Sequence, residues 1–265
     1  MGEVRCSGQP LSSRHLGALG RSRPDGARRP QLGGPRNLMN DRRFESELAM
    51  AEALAADIAL ALAQRIAETG SAGLILSGGS TPGLMFDELS RLRLGWNRVK
   101  ITLADERLVP ATGLESNERL VRDRLLRGEA QAAVFIPLWQ GEGDPVESAI
   151  EAVCNIERPF TMVVLGLGDD GHIASLFPGM PGLGRTLDPA ADLTAVFVPG
   201  QASRRPRVSL TVATLLDTRR VALSFVGEAK RRVLQNALAP GAVEDLPVRA
   251  ILRQTKVPVD VYWSP

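Results

Sequence analysis

Ala72-Gly73-Leu74-Ile75-Leu76-Ser77-Gly78-Gly79-Ser80-Thr81-Pro82 carries the first decision about the fold. Its apolar run is too short for a helix and reads as a buried strand. The two glycines permit a tight turn and close approach of a ligand to the backbone. Ser80 or Thr81 suits the N-cap of a following helix, and Pro82 suits its first turn. A strand, a glycine turn and a helix start in direct succession form the repeating unit of a parallel sheet.

The same alternation continues in both directions. Phe44 to Ala67 is rich in Ala, Leu, Glu and Arg, all good helix formers, and Gly70 is a natural stop. Further apolar strands are expected at 98–104, 161–165, 194–198 and 220–226. Helical stretches are expected near 83–92, 117–127, 145–157, 211–217 and 228–239. Short apolar strands alternating with helices predict an α/β protein, a Rossmann-like three-layer α/β/α sandwich with a mostly parallel sheet. In such sheets ligands bind beyond the C-terminal ends of the strands, so the loops after the strands hold the candidate site.

Composition narrows the classes. The 265 residues are 44% hydrophobic and 23% charged, ordinary values for a globular chain. No apolar run reaches the roughly 18 residues that suggest a membrane span. The stretch Leu48 to Ile66 is interrupted by Glu52, Asp57, Gln64 and Arg65. Two cysteines, Cys6 and Cys154, are too few and too far apart for a disulfide framework, which fits a reducing, cytoplasmic setting. With two histidines, His15 and His172, a dedicated zinc site has almost no ligands, and no metal or cofactor is expected.

Residues 1–38 hold seven arginines and two acids, so the basic character belongs to this segment and the remainder is slightly acidic. That balance gives no reason to expect nucleic acid as a partner. The segment lacks a hydrophobic period and reads as a disordered basic extension, with an over-called start before Met39 or a transit peptide as alternatives. Residues 39–265 are expected to form a single domain.

Three loops carry candidate chemistry. Gly78, Gly79, Ser80 and Thr81 would present free N–H groups and hydroxyls at a helix N-terminus, a ready anion site. Asp105-Glu106-Arg107 places three charges at the end of a buried strand. Arg107 offers a planar fork for phosphate, and Asp105 an acid–base group or a hydroxyl acceptor. Gly166-Leu167-Gly168-Asp169-Asp170-Gly171-His172 matches the spacing of a dinucleotide fingerprint. Two aspartates would repel a pyrophosphate, however, and Pro178 would cut short the helix that motif requires. The loop instead sets a carboxylate beside a histidine, a pairing that fixes the imidazole tautomer and makes it a better base. Arg207 and Lys230 are further candidates for neutralising a phosphate.

These loops, with Ser116-Asn117, Arg207-Val208-Ser209-Leu210-Thr211 and Gly227-Glu228-Ala229-Lys230, resemble in order those of the 6-phosphogluconolactonase family. The resemblance spans roughly residues 40–265, and the block from Gly166 to Pro178 is its most specific part. The glucosamine-6-phosphate deaminases look similar, but they carry a Phe-Asn-Glu-Pro run where this chain has Ser175-Leu176-Phe177-Pro178. They also usually place Tyr where Arg107 stands.

The resemblance implies hydrolysis of 6-phospho-D-glucono-1,5-lactone to 6-phospho-D-gluconate in the oxidative pentose phosphate route. It implies His172 as the base for water attack, Asp170 or Asp169 orienting it, and Asp105 as a further acid–base candidate. Gly78, Gly79, Ser80, Thr81, Arg107, Asn117, Arg207 and Lys230 would bind the substrate and its phosphate. The implied partner is a small phosphosugar lactone, bound by a monomer or small homo-oligomer. A deaminase-type enzyme and a non-catalytic phosphosugar-binding module are the alternatives.

Overall fold

The computed structural model describes residues 39–265 other than 80, 202 and 203. The expectations for residues 1–38 and for Ser80 lie outside the described residues. The strands, in chain order, are β1 (Met39–Arg43), β2 (Ala72–Leu76), β3 (Val99–Leu103), β4 (Asp105–Arg107), β5 (Val134–Phe135), β6 (Met162–Gly166), β7 (Ala195–Val198), β8 (Arg207–Leu210), β9 (Val221–Val226) and β10 (Val259–Ser264). The helices are α1 (Glu47–Thr69), α2 (Pro82–Ser90), α3 (Asn117–Arg124), α4 (Pro145–Cys154), α5 (Leu183–Leu187), α6 (Val212–Leu215), α7 (Glu228–Leu238) and α8 (Arg249–Leu252).

Seven strands form one parallel sheet in the order β1-β10-β9-β6-β2-β3-β5. Helices cover both sides of it. All five residues of β2 and all six of β10 are buried, as strands covered on both faces must be. The chain leaves β2 towards β3 and β5, then returns to β6 on the other side of β2 and proceeds to β9. The order therefore reverses between β2 and β6, and a crevice opens where their following loops diverge.

The long helix α1 starts at Glu47, three residues later than its composition suggests. Ser46 sets that start, its hydroxyl accepting the Ala49 N–H. It ends at Thr69, with Gly70 in the left-handed conformation at φ 88°. Met50, Leu54, Ile58 and Leu62 bury its inner face.

Several expectations need correction. Thr194 to Val198 is not a parallel strand of the main sheet: β7 belongs to a three-stranded antiparallel sheet, β4-β8-β7. Asp105-Glu106-Arg107 is not a loop but an edge strand, β4, of that same small sheet, pairing with Arg207 to Ser209. The stretch 211–217 makes only one helical turn, α6, and α3 ends at Arg124 rather than near 127. β1, β5 and β10 are additional strands. Thr81 occupies the N-cap position of α2 with helical angles (φ −74°, ψ −39°), and its side chain makes no capping hydrogen bond.

Candidate active site

A cavity of about 210 Å³ opens at the β2/β6 reversal. It is smaller than the usual pocket for a drug-sized ligand and suits a single small metabolite. The turn after β2, the loop after β6, the Asp105 and Arg107 side chains, Asn117, Arg207 and Lys230 converge on it. Three cations, Arg107, Arg207 and Lys230, line it together with two carboxylates, Asp105 and Asp169. The wall thus carries excess positive charge suited to an anionic ligand.

The loop after β6 is folded tightly around its histidine. The Gly168 N–H donates to the His172 carbonyl at 3.0 Å, and the Gly171 N–H donates to the Gly168 carbonyl at 3.0 Å. A Cβ on Gly168 would fall 2.0 Å from His172 Nδ1, so only glycine lets the ring lie there. Gly171 has φ 78°, and its carbonyl accepts the Val248 N–H at 2.9 Å. Ala174 has φ 47°, a left-handed conformation that costs a non-glycine residue about 1 kcal/mol. The Ile173–Leu176 bridge and the Ser175 contacts on either side hold it there. No helix follows this loop until Leu183, so the helix of a dinucleotide fingerprint is absent.

His172 Nδ1 lies 2.5 Å from Asp170 Oδ1, and the same oxygen accepts the His172 backbone N–H at 3.1 Å. Of the two neighbouring aspartates, Asp170 touches the imidazole and Asp169 faces the cavity. Partial burial works against charge on Asp170. The hydrogen bond and electrostatic attraction of His172 outweigh it and hold the carboxyl down to about 2. An ionised carboxylate can only accept the hydrogen bond of Nδ1–H, which leaves Nε2 of the neutral ring as an acceptor. The Phe177 ring packs on the imidazole at 4.5 Å between centroids, tilted by 48°.

Behind the cations lies a buried polar network that sequence reasoning left without a role. Glu106 is 3% exposed and accepts four donors: the N–H groups of Arg107, Asn117 and Glu118, and the Ser116 hydroxyl. It closes the N-terminus of α3 with a carboxylate, a favourable position for negative charge. Burial pushes its carboxyl above the ordinary range, against the lowering effect of those N–H groups. Glu106 thereby fixes Asn117, whose Nδ2 donates to the Asp105 carbonyl at 2.8 Å. Asn117 also lies over Gly78, where an added Cβ would meet Asn117 Oδ1 at 1.9 Å.

Asp105 is buried, accepting the Ser175 hydroxyl at 2.5 Å, with Arg207 Nη1 at 3.7 Å. Burial pushes the Arg207 guanidinium down, and Asp105 partly restores it. Arg204 and Arg207 both stack on the Phe177 ring, at 3.7 and 5.3 Å from its centroid. Ser77 Oγ, Arg107 Nε, Asn117 Oδ1 and Arg207 Nε are buried and have no hydrogen-bond partner among the described residues. All four belong to residues on the cavity wall, where a polar ligand can satisfy them. Among the described residues no three His, Cys, Asp or Glu side chains gather as a metal site.

Every candidate named from sequence, apart from Ser80, lies on this wall or, as Asp170 does, directly behind it. Glu106, Ser175 and Phe177 are the residues sequence reasoning did not assign. The only sequence signal for Glu106 is its place between Asp105 and Arg107. For Ser175 and Phe177 it is their place in the histidine loop.

Residues 45–263 match the family model of glucosamine-6-phosphate isomerases and 6-phosphogluconolactonase. A 6-phosphogluconolactonase of Rhizobium meliloti strain 1021 is 41% identical over 225 residues, covering 84% of this chain and 97% of the relative. One from Mesorhizobium japonicum is also 41% identical over 225 residues, covering 84% and 94%. The crystal structure of a 6-phosphogluconolactonase from Shewanella baltica OS155 superposes with a TM-score of 0.81 at 38% identity, covering 88% of this chain and all of that one. With the fold, the site and these relatives in agreement, the chain belongs to the glucosamine-6-phosphate isomerase/6-phosphogluconolactonase family.

Proposed function

We propose that this chain hydrolyses 6-phospho-D-glucono-1,5-lactone to 6-phospho-D-gluconate, with His172 as the general base. The observation that carries the mechanism is the Asp170–His172 pair on the wall of a small cavity rich in cations. A lactone is an activated ester, so a positioned base and an anchored substrate suffice to accelerate its hydrolysis. His172 Nε2 takes a proton from water as the water oxygen attacks the lactone carbonyl. The tetrahedral adduct collapses, the bond from carbonyl carbon to ring oxygen breaks, and the imidazolium returns its proton to that oxygen. Asp170 keeps the ring in the required tautomer and stabilises the imidazolium between the two transfers.

In this reading Arg107, Arg207, Lys230 and the turn from Gly78 to Thr81, Ser80 included, anchor the phosphate. Asn117 and Asp105 meet sugar hydroxyls. Residues 39–265 act as one catalytic domain, preceded by a basic extension over 1–38. The enzyme needs no cofactor and works as a monomer or small homo-oligomer. Its substrate is a charged metabolite that membranes retain, which favours the cytoplasm. Among the described residues no helix is long and apolar enough to cross a membrane.

The segment Ser175 to Pro178 supplies no carboxylate as a second partner for His172, which speaks against sugar ring opening and deamination. Fresh lactone, with 6-phosphogluconate dehydrogenase reporting product, tests the proposal. Hydrolysis well above the spontaneous rate is expected, and Arg107→Glu should raise KM at least tenfold. Equal rates on phosphorylated and unphosphorylated gluconolactone, or release of ammonia from glucosamine-6-phosphate, would overturn it.

A further inference from the structure

We propose that Ser175 is a positioning residue that keeps Arg207 available to the ligand by standing between it and Asp105. Ser175 is fully buried, three residues beyond His172 in the same loop. Its Oγ lies 2.5 Å from Asp105 Oδ2 and 3.3 Å from Arg207 Nη1. A carboxylate only accepts and a guanidinium only donates, so the direction is fixed: Arg207 donates to Ser175, and Ser175 donates to Asp105. The direct separation of Arg207 Nη1 from Asp105 is 3.7 Å, outside hydrogen-bond range.

That separation has a consequence for binding. An arginine beside a buried carboxylate tends to a bidentate pair, which would take up two of its five donors. With the serine hydroxyl interposed, Asp105 still compensates the buried cation, but among the described residues only Nη1 is engaged by a hydrogen bond, and by a neutral group. Arg207 Nε has no partner among the described residues, and the residue lines the cavity. Ser175 is itself held from behind, its N–H donating to Ser209 Oγ at 3.1 Å, and Ser209 pairs across the small sheet with Asp105. The spacer is therefore tied to both strands whose side chains it separates.

The inference rests on the proposed substrate only in that the ligand is anionic. Its test is a binding measurement, independent of turnover. Calorimetric titration with 6-phosphogluconate should give a Kd about tenfold weaker for Ser175→Ala, the scale of one hydrogen bond to a charged group. Thermal stability should stay close to wild type, because the direct Asp105–Arg207 pair replaces what is lost. Ser175→Cys, with similar volume and weaker hydrogen bonding, should fall between the two and serves if the alanine variant does not fold.

In an Arg207→Ala background the serine substitution should cost no further affinity, since the residue it serves is gone. Unchanged affinity in both serine variants would overturn the proposal, as would a loss that persists in the Arg207→Ala background. A wild-type protein that binds 6-phosphogluconate but hydrolyses no lactone would sink the lactonase reading, while the comparison of Kd values still decides the role of Ser175.

Discussion

Two loops face each other across the cavity, and they are built in opposite ways. The loop after β6 is cross-braced: Gly168, Gly171, Ser175 and Leu176 each donate a defined hydrogen bond, and Ala174 is held in a left-handed conformation. Among the described residues, the turn after β2 has fewer such hydrogen bonds. The Ser77 N–H reaches the Val164 carbonyl, Gly79 turns the chain at φ 104°, and the Thr81 side chain makes no capping hydrogen bond. The bracing suits the role proposed for His172, because proton transfer tolerates little misplacement of the base. An anion is best met by N–H groups that nothing else satisfies, which is the role proposed for the glycine turn.

That contrast can be broken from either side. The largest effect is expected for His172→Ala, which should lower kcat by about 10²–10⁴, the range of a general base, as measured by product formation above the spontaneous background. Gly168→Ala tests the bracing itself. The new methyl must displace the imidazole from Asp170, so kcat should fall by about 10- to 100-fold through lost orientation, with KM nearly unchanged. A rise in KM of similar size with kcat intact would mean that the loop serves binding instead.

On the open side, Gly79→Ala meets no atom within 4 Å, so its cost is the positive φ alone. A loss of about 1 kcal/mol in urea-unfolding stability is expected, together with a KM raised a few-fold and kcat nearly intact. The smallest effect concerns pH. The folded Asp170 carboxyl is held at about 2 against an ordinary 3.8. A depressed acid stabilises the fold above its unfolded value and loses that contribution as pH falls through its folded one. The stability difference between wild type and Asp170→Asn should therefore be full at neutral pH and shrink from pH 4 towards pH 2. Asp170 is 46% exposed, so solvent screening keeps the difference small. A difference that grows on acidification would contradict the pairing.

How much of this was readable before the structure depends on where each residue's partners lie. β2, β3, β6 and β9 are legible because a strand buried on both faces must be an apolar run. β1, Met39-Asn40-Asp41-Arg42-Arg43, is an edge strand with mostly polar residues, and no local pattern marks it. β5 has two residues, too few for any period. β10 was legible in principle, for Val259, Val261 and Trp263 alternate with Asp260 and Tyr262. β4 and β8 escape notice because arginine and carboxylate side chains populate a short strand as readily as a loop.

The site divides along the same line. Residues on post-strand loops stand out by position and chemistry, which is why the charged residues that line the cavity were all named from sequence. Glu106 and Ser175 act on groups far away in the chain, at Asn117 and Glu118 for one and at Asp105 and Arg207 for the other. Sequence spacing does not encode such pairs. The choice between Asp169 and Asp170 likewise needed the backbone, because the turn at Gly171 aims one carboxylate at the ring and leaves the other to the cavity.

The most direct test of the central claim is lactone hydrolysis by His172→Ala titrated with free imidazole. His172 is on the cavity wall and its side chain is 29% exposed, so a small base can reach its place. The account predicts that the variant loses nearly all activity above background. It further predicts that imidazole restores part of it, beyond what imidazole does to lactone alone and without accelerating the wild type. A His172→Ala variant that hydrolyses the lactone at the wild-type rate would contradict it.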